Sequence, residues 1–72
     1  MNVLDTLGLK CPQPVLKLAV LAVNLEAGEM VEVLGDCPTF EKDMRTWCTR
    51  LKKTLISVVC EEGQVKRIQI ML

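Results

Sequence analysis

The chain has 72 residues, half of them apolar and a quarter charged, which is typical of one small globular domain over residues 1–72 and excludes a disordered segment. Nine basic residues balance nine acidic ones, so no net charge attracts the chain to nucleic acid or to an anionic membrane. There is no histidine, which excludes a histidine base and an imidazole metal ligand. Because so short a chain builds only a thin core, we expect any chemistry to use few groups close to the surface.

No targeting or membrane signal is visible. Residues 1–10 lack the basic start of a signal peptide, and the most apolar segment, 14–25, is too short to cross a bilayer of about 30 Å. We therefore expect a cytoplasmic protein with reduced thiols and without membrane insertion.

The first predicted elements are a strand and a helix. Residues 3–7 predict a short strand that ends at Gly8. A helix follows over 12–24, since proline is tolerated in a first helical turn. Its apolar residues cover most of the circumference, so we expect it to be largely buried. They are Val15, Leu16, Ala19, Val20 and Val23, with Leu18 and Ala22 widening the stripe.

A second strand and a second helix follow. Residues 30–34 alternate between apolar and polar side chains, which predicts a strand with one exposed face. Apolar residues at helical spacing then predict an amphipathic helix over 40–53. They are Phe40, Met44, Trp47, Cys48 and Leu51.

Two strands complete the chain, at 55–61 and 65–72. Ile56, Val58 and Cys60 share one face of the first, and Ile68 and Ile70 one face of the second. The order β-α-β-α-β-β predicts an α/β (α+β) two-layer sandwich, a four-stranded mixed sheet with both helices on one face.

The motif that carries chemistry is Cys11-Pro12-Gln13-Pro14 at the start of the first helix. We predict that Cys11 is the N-cap. Pro12 and Pro14 lack an N–H group, so the Gln13 amide is the first-turn donor that could reach the cap sulfur. The helix dipole and the charge of Lys10 favour a sulfur anion there. The competing interpretation is a plain helix start that contains a cysteine.

The small gain in the rate of attack that comes from lowering the pKa of a thiol favours a carrier over an enzyme that turns over by itself. Lowering the pKa of a thiol from about 8.5 to about 7 raises the thiolate fraction about 16-fold. Lower basicity costs about fivefold in nucleophilicity, so the rate of attack gains only about threefold. The greater use of a rigid helix tip is to hold a thiolate or a persulfide where another protein can reach it.

Residues 4–18, LDTLGLKCPQPVLKL, resemble the opening of the TusA/SirA/YedF family of small sulfur-carrier proteins, whose signature is Leu-Asp-x-x-Gly-Leu-x-Cys-Pro-x-Pro. The resemblance continues through the 27–29 turn, Asp36-x-Pro38, Asp43 and Trp47-Cys48. It implies a sandwich like the C-terminal domain of initiation factor three. It also implies that Cys11 accepts sulfane sulfur as a persulfide from a cysteine desulfurase or a rhodanese-like protein. The sulfur would pass to an acceptor protein in a relay such as tRNA thiolation, sulfur oxidation or cofactor biosynthesis.

The other cysteines leave an alternative open. Cys37 precedes Pro38 at the second helix start and is a possible second thiol, so a regulatory or redox-sensing adaptor that uses Cys11 and Cys37 remains a competing function. Cys48 and Cys60 share apolar patterns, and we expect both in the core. Cys37, Cys60 and the Lys53-Thr54 pair also depart from the usual family pattern.

We expect no metal, no cofactor and no direct contact with nucleic acid. Zinc ligands usually come in close pairs, and the four cysteines are widely spaced. The two aromatic side chains lie on a core stripe and are unsuited to stacking on bases. The expected partners are therefore proteins, a sulfur donor and an acceptor, with the chain itself a monomer or a weak dimer.

Overall fold

The computed structural model describes residues 2–10 and 13–72. This part of the chain forms four strands and two helices, and each lies within two residues of its predicted position. In chain order they are β1 (Asn2–Asp5), α1 (Gln13–Val23), β2 (Met30–Gly35), α2 (Phe40–Leu51), β3 (Thr54–Cys60) and β4 (Lys66–Met71). The predicted β-α-β-α-β-β order is confirmed.

The strands form one mixed sheet in the order β1-β2-β4-β3. β1 is parallel to β2, and β4 is antiparallel to both β2 and β3. α1 and α2 therefore each connect two parallel strands. Both helices pack against the same face of the sheet, which confirms the predicted two-layer sandwich.

The core lies between this sheet face and the helices. The central strands β2 and β4 contribute Val31, Val33, Ile68 and Ile70, all fully buried. The helices contribute Leu18 of α1 and four residues of α2, namely Phe40, Met44, Trp47 and Cys48. The predicted core positions of the two central strands and of α2 are thus confirmed, apart from Leu51, which is exposed.

Gly35 allows the start of α2 to approach the end of β2. A Cβ atom at Gly35 would lie 2.5 Å from Cδ1 and Cε1 of Phe40, far inside van der Waals contact. The absence of a side chain therefore lets the Phe40 ring lie against the backbone of β2. This contact fixes where α2 begins relative to the strand.

The prediction that α1 is largely buried is wrong. Pro14 and Leu18 are buried, whereas Leu16, Val20 and Val23 are exposed, the last two by 69% and 84%. The helix packs one face against the core, and in the described residues no other element covers its opposite face. In a domain of two layers only one face of a helix packs against the sheet, so apolar residues around the whole circumference do not make the helix buried.

The prediction that Cys60 lies in the core is also wrong, because Cys60 is exposed. A β-bulge interrupts the register between Leu55 and Ser57, and Leu55 and Val58 pack against the core while Ile56 turns outward. The extra residue breaks the strict alternation on which the prediction rested. Cys48, by contrast, is 3% exposed and lies in the core as predicted.

Candidate functional site at the carboxyl ends of the parallel strands

The two loops that lead into the helices lie at the same edge of the sheet. β1 and β2 are adjacent and parallel, with Asp5 opposite Leu34. Thr6 extends this pairing by one residue, because its N–H group donates to the Leu34 carbonyl oxygen at 2.8 Å and its hydroxyl group bonds to the same oxygen. The edge formed by the carboxyl ends of parallel strands is where α/β sheets commonly place a site.

The loop between β1 and α1 is attached to the loop between β2 and α2. The Gly8 N–H group donates to the Asp36 carboxylate, 3.1 Å from Oδ1 and 3.3 Å from Oδ2. Gly8 has φ 81, a left-handed conformation that glycine adopts without strain. Asp5 Oδ1 accepts the Leu7 N–H group at 2.9 Å and tightens the same turn. The segment that leads to Cys11 is therefore held at its base.

The predicted site residues on either side of the cysteine lie close together at the start of α1. Lys10 and Gln13 are exposed, and Pro14 is buried beneath them. Cys11 and Pro12 lie outside the described residues. The Gln13 N–H group donates to the Lys10 carbonyl oxygen at 2.8 Å, so the amide that we predicted as a donor to the cap sulfur already has a partner.

Cys37 lies in the loop between β2 and α2. It is 9% exposed, it is disulfide-bonded, and its Sγ atom lies 3.7 Å from Oγ1 of Thr39. Thr39 Oγ1 also donates to Asp43 Oδ2 at 3.1 Å, one turn into α2. Sequence reasoning did not identify Thr39 as a neighbour of this sulfur; its position immediately before an apolar helical repeat was the available signal.

The two loops line one shallow hollow of about 450 Å³. Residues 8–10 form one wall and residues 36–39 form the other. Lys10, the residue before Cys11 in the sequence, therefore lines the same hollow as Cys37. Asp36 and Lys10 place charges of opposite sign on its two walls, so that an anionic or a thiol group could find a complementary partner there.

The remaining two cysteines differ in environment. Burial raises the pKa of the Cys48 thiol, which therefore remains protonated and inert at neutral pH. Cys60 carries a free thiol at the end of β3, at the same sheet edge as Cys37, with β4 between the two strands. Proximity to the hollow, and not exposure alone, is what distinguishes Cys37.

Neither a metal cluster nor a membrane span is found in residues 2–10 and 13–72. No three side chains among the His, Cys, Asp and Glu residues of these ranges are grouped so as to hold a metal ion. Neither α1 nor α2 has the length and apolarity that crossing a membrane requires.

Comparison with known proteins identifies the family. The family model described as sulfurtransferase TusA matches residues 2–71. The chain belongs to the TusA sulfurtransferase family. The solved structure of a SirA-like protein from Desulfitobacterium hafniense is similar to this chain with a TM-score of 0.87 and 25% sequence identity, over 99% of this chain and 96% of that chain. Both the family and the fold implied by residues 4–18 are confirmed, and a general role in sulfur transfer follows from the family.

The TusA-family motif has a structural meaning in this chain. The described motif residues each shape the path from β1 to α1: Leu4 packs against the core, Asp5 and Gly8 form the turn, and Pro14 is buried at the base of α1. The described motif residues therefore encode the turn after β1 and the first turn of α1. Such preorganisation fits a family whose members exchange sulfur with partner proteins.

Proposed function

We propose that this protein is a sulfur carrier that accepts sulfane sulfur as a persulfide on Cys11 and relays it to an acceptor protein. The observation that carries the proposal is the exposed, fixed start of α1. Lys10 and Gln13, the described residues closest to Cys11 in the chain, are both exposed, and the loop before them is tied to Asp36. The proposal requires that the cysteine between them in the sequence is accessible to a second protein.

The local electrostatics support an anion at this position. The N-terminal end of an α-helix carries partial positive charge, and α1 continues regularly from Gln13 to Val23. Lys10 adds a full positive charge next to the cysteine in the sequence. Both positive charges favour a thiolate or persulfide anion over its protonated form. A persulfide is more acidic than a thiol, so it is the more readily ionised of the two groups.

The use of the Gln13 amide by Lys10 limits how far Cys11 is activated. A donor already bonded at 2.8 Å contributes less to a neighbouring sulfur than a free one. The proposed role is consistent with this limit, because a carrier needs stable storage and reversible transfer more than a fast attack. The donor would be a cysteine desulfurase or a rhodanese-like protein, and that partner would supply the activation.

The role of the sulfur site can be tested by intact-mass analysis. The reduced chain is incubated anaerobically with a cysteine desulfurase and free cysteine, and desalted. We expect a gain of about 32 Da, the mass of one sulfur atom, which cyanide removes as thiocyanate. The same treatment of Cys11→Ala should give no gain.

Cys60→Ser is the matched control. Cys60 is an exposed cysteine outside the hollow, so its loss should leave loading unchanged. A sulfur adduct of equal yield on Cys11→Ala would contradict the proposal, because the carrying sulfur would then belong to another cysteine. Equal circular dichroism spectra of the three proteins would exclude unfolding as the cause of a difference.

A further inference from the structure

Cys37 occupies the second of the two loops at the carboxyl edge of the parallel strands. Because Asp5 and Leu34 face each other in the β1–β2 register, the chain leaves both strands at the same place. Cys37 follows Leu34 by three residues, and Cys11 follows Asp5 by six. The topology therefore directs the segments that follow Asp5 and Leu34, each of which leads to a Cys-Pro sequence, to the same end of the sheet.

Specific contacts keep these two segments together. The bond from the Gly8 N–H group to the Asp36 carboxylate joins the residue three positions before Cys11 to the residue immediately before Cys37. Lys10 and Cys37 line the same hollow. Lys10 is the residue before Cys11 in the sequence.

The state of the sulfur atoms adds an independent observation. Cys37 is disulfide-bonded, whereas Cys48 and Cys60 carry free thiols. The fourth cysteine of the sequence is Cys11.

We propose that Cys37 is the resolving thiol of the carrier, which discharges the Cys11 persulfide and closes a Cys11–Cys37 disulfide. This inference rests on the proposed function, since it needs a persulfide on Cys11. It assigns to Cys37 a role that a carrier with one cysteine does not have. The switchable pair considered as an alternative function then becomes a part of the carrier's own cycle.

The reaction balances without an outside oxidant. The Cys37 thiol loses its proton to water, and the thiolate attacks Sγ of Cys11 in the persulfide. The bond between that Sγ atom and the carried sulfur breaks, and the carried sulfur leaves as hydrosulfide with the electron pair of the bond. The carried sulfur is reduced while the two cysteine sulfurs are oxidised to the disulfide. A dithiol reductant returns the pair to its reduced form.

The surroundings of Cys37 fit this chemistry. The Thr39 hydroxyl group is a polar neighbour of the Cys37 sulfur at 3.7 Å, while its proton is donated to Asp43 Oδ2. Low exposure of Cys37 protects it from unrelated electrophiles, while the hollow gives it access to the adjoining loop. The disulfide form would not accept new sulfur, so an excess of donor over acceptor would take the carrier out of the relay.

The test follows a loaded carrier over time in the absence of oxygen. Cys60→Ser is the parent chain, and the comparison is the same chain with Cys37→Ser added. Both are loaded with a cysteine desulfurase and free cysteine and desalted. In the parent we expect the adduct of about 32 Da to be replaced by a species about 2 Da lighter than the reduced chain, with release of one hydrosulfide per chain. With Cys37→Ser the adduct should last at least about tenfold longer, because the neighbouring thiol is gone.

The outcomes separate this inference from the proposed function. If both chains load and keep the adduct equally long, Cys37 is not a resolving thiol, although Cys11 remains the carrier. If peptide mapping of the parent joins Cys11 to Cys48 instead of Cys37, the inference is overturned as well. If neither chain loads, the proposed function itself fails. If Cys37→Ser impairs folding, sulfide release and peptide mapping on the parent chain alone decide the inference.

Discussion

Cys48 and Cys60 have the same side chain in opposite environments. Cys48 lies in the core among residues of α2, where desolvation raises the pKa of its thiol. Cys60 stands exposed at the end of an edge strand. The reactivity of a thiol in this chain therefore depends on its position. Attack requires the thiolate, and a thiol ionises more readily where it is exposed to water.

Native alkylation should distinguish these two thiols. Brief treatment of the folded, reduced chain with iodoacetamide at pH 7.5 should modify Cys60 and leave Cys48 unmodified, and urea should expose Cys48. Peptide mapping measures both sites. Modification of Cys48 at the rate of Cys60 in the folded chain would contradict the core position of α2.

Glu41 provides a pH-dependent contribution to stability. Hydrogen bonds from Arg45, at 2.9 Å, and from Lys66, at 3.2 Å, hold the pKa of the Glu41 carboxyl group below its usual value of 4.5. A group whose pKa is lower in the folded state stabilises the fold above its unfolded pKa and loses this effect as the pH falls through the folded pKa. The stabilisation is therefore fully present at neutral pH and declines progressively as the pH falls below about 4.5.

Glu41→Gln should lower the unfolding temperature at pH 7 and have a smaller effect at pH 3. Thermal unfolding followed by circular dichroism between pH 3 and pH 7 measures this. Glu62→Gln, in the exposed turn before β4, is the matched control and should follow the original chain at every pH. An equal loss from Glu41→Gln at pH 3 and pH 7 would show that the ion pairs are not its cause.

At the scale of elements, α1 has two apolar faces with different consequences. Leu18 is fully buried against the core, while Val20, two residues later, is 69% exposed. Deleting a buried leucine side chain removes its transfer free energy and leaves a cavity. An exposed valine has neither contribution to lose.

Leu18→Ala should therefore lower the free energy of unfolding by about 2–5 kcal/mol, and Val20→Ser should change it by no more than about 0.5 kcal/mol. Urea denaturation of both variants measures the difference. A loss from Val20→Ser as large as that from Leu18→Ala would mean that something in solution covers the outer face of α1.

The junction of β2 and α2 depends on one close approach. Gly35→Ala places a methyl group 2.5 Å from the Phe40 ring and should cost at least about 1–3 kcal/mol in the free energy of unfolding, since an overpacked core must shift. Phe40→Leu replaces the ring with a smaller side chain that lacks Cε1 and Cζ, two of the atoms that a Cβ atom at Gly35 would meet. We expect Phe40→Leu to cost less in the Gly35→Ala background than in the original chain, a coupling that a double-mutant cycle measures. Additive costs would contradict the close approach.

At the scale of the whole molecule, the fold could be read from periodicity, and the failures of this reading lie at the periphery. The alternation of Val31 with Val33 and the spacing of Phe40, Met44 and Trp47 predicted the central strands and α2, because the centre of a two-layer domain enforces a strict pattern. The periphery of the domain does not enforce such a pattern. Leu16 is exposed on α1 and Cys60 on β3, since an outer helix face and a bulged edge strand have no neighbour to impose the pattern.

The candidate site was predictable in part for a related reason. Gly8 and Pro14 belong to a motif whose residue types indicate the local backbone conformation. Glycine indicates a positive φ at position 8, and proline indicates a helix start at position 14. The attachment of Gly8 to Asp36 and the approach of Lys10 and Cys37 to one hollow depend on the β1–β2 register. No local pattern encodes which strands become neighbours, so these contacts required the structure.

The central claim is that Cys11 holds the transferable sulfur. The most direct measurement uses a chain in which Cys37 and Cys60 are replaced by serine, so that Cys11 and the buried Cys48 are its remaining cysteines. After loading by a cysteine desulfurase, this chain should gain about 32 Da, map the added sulfur to the peptide that contains Cys11, and lose it to cyanide. A folded chain that gains no sulfur, or that carries it on Cys48, would contradict the account.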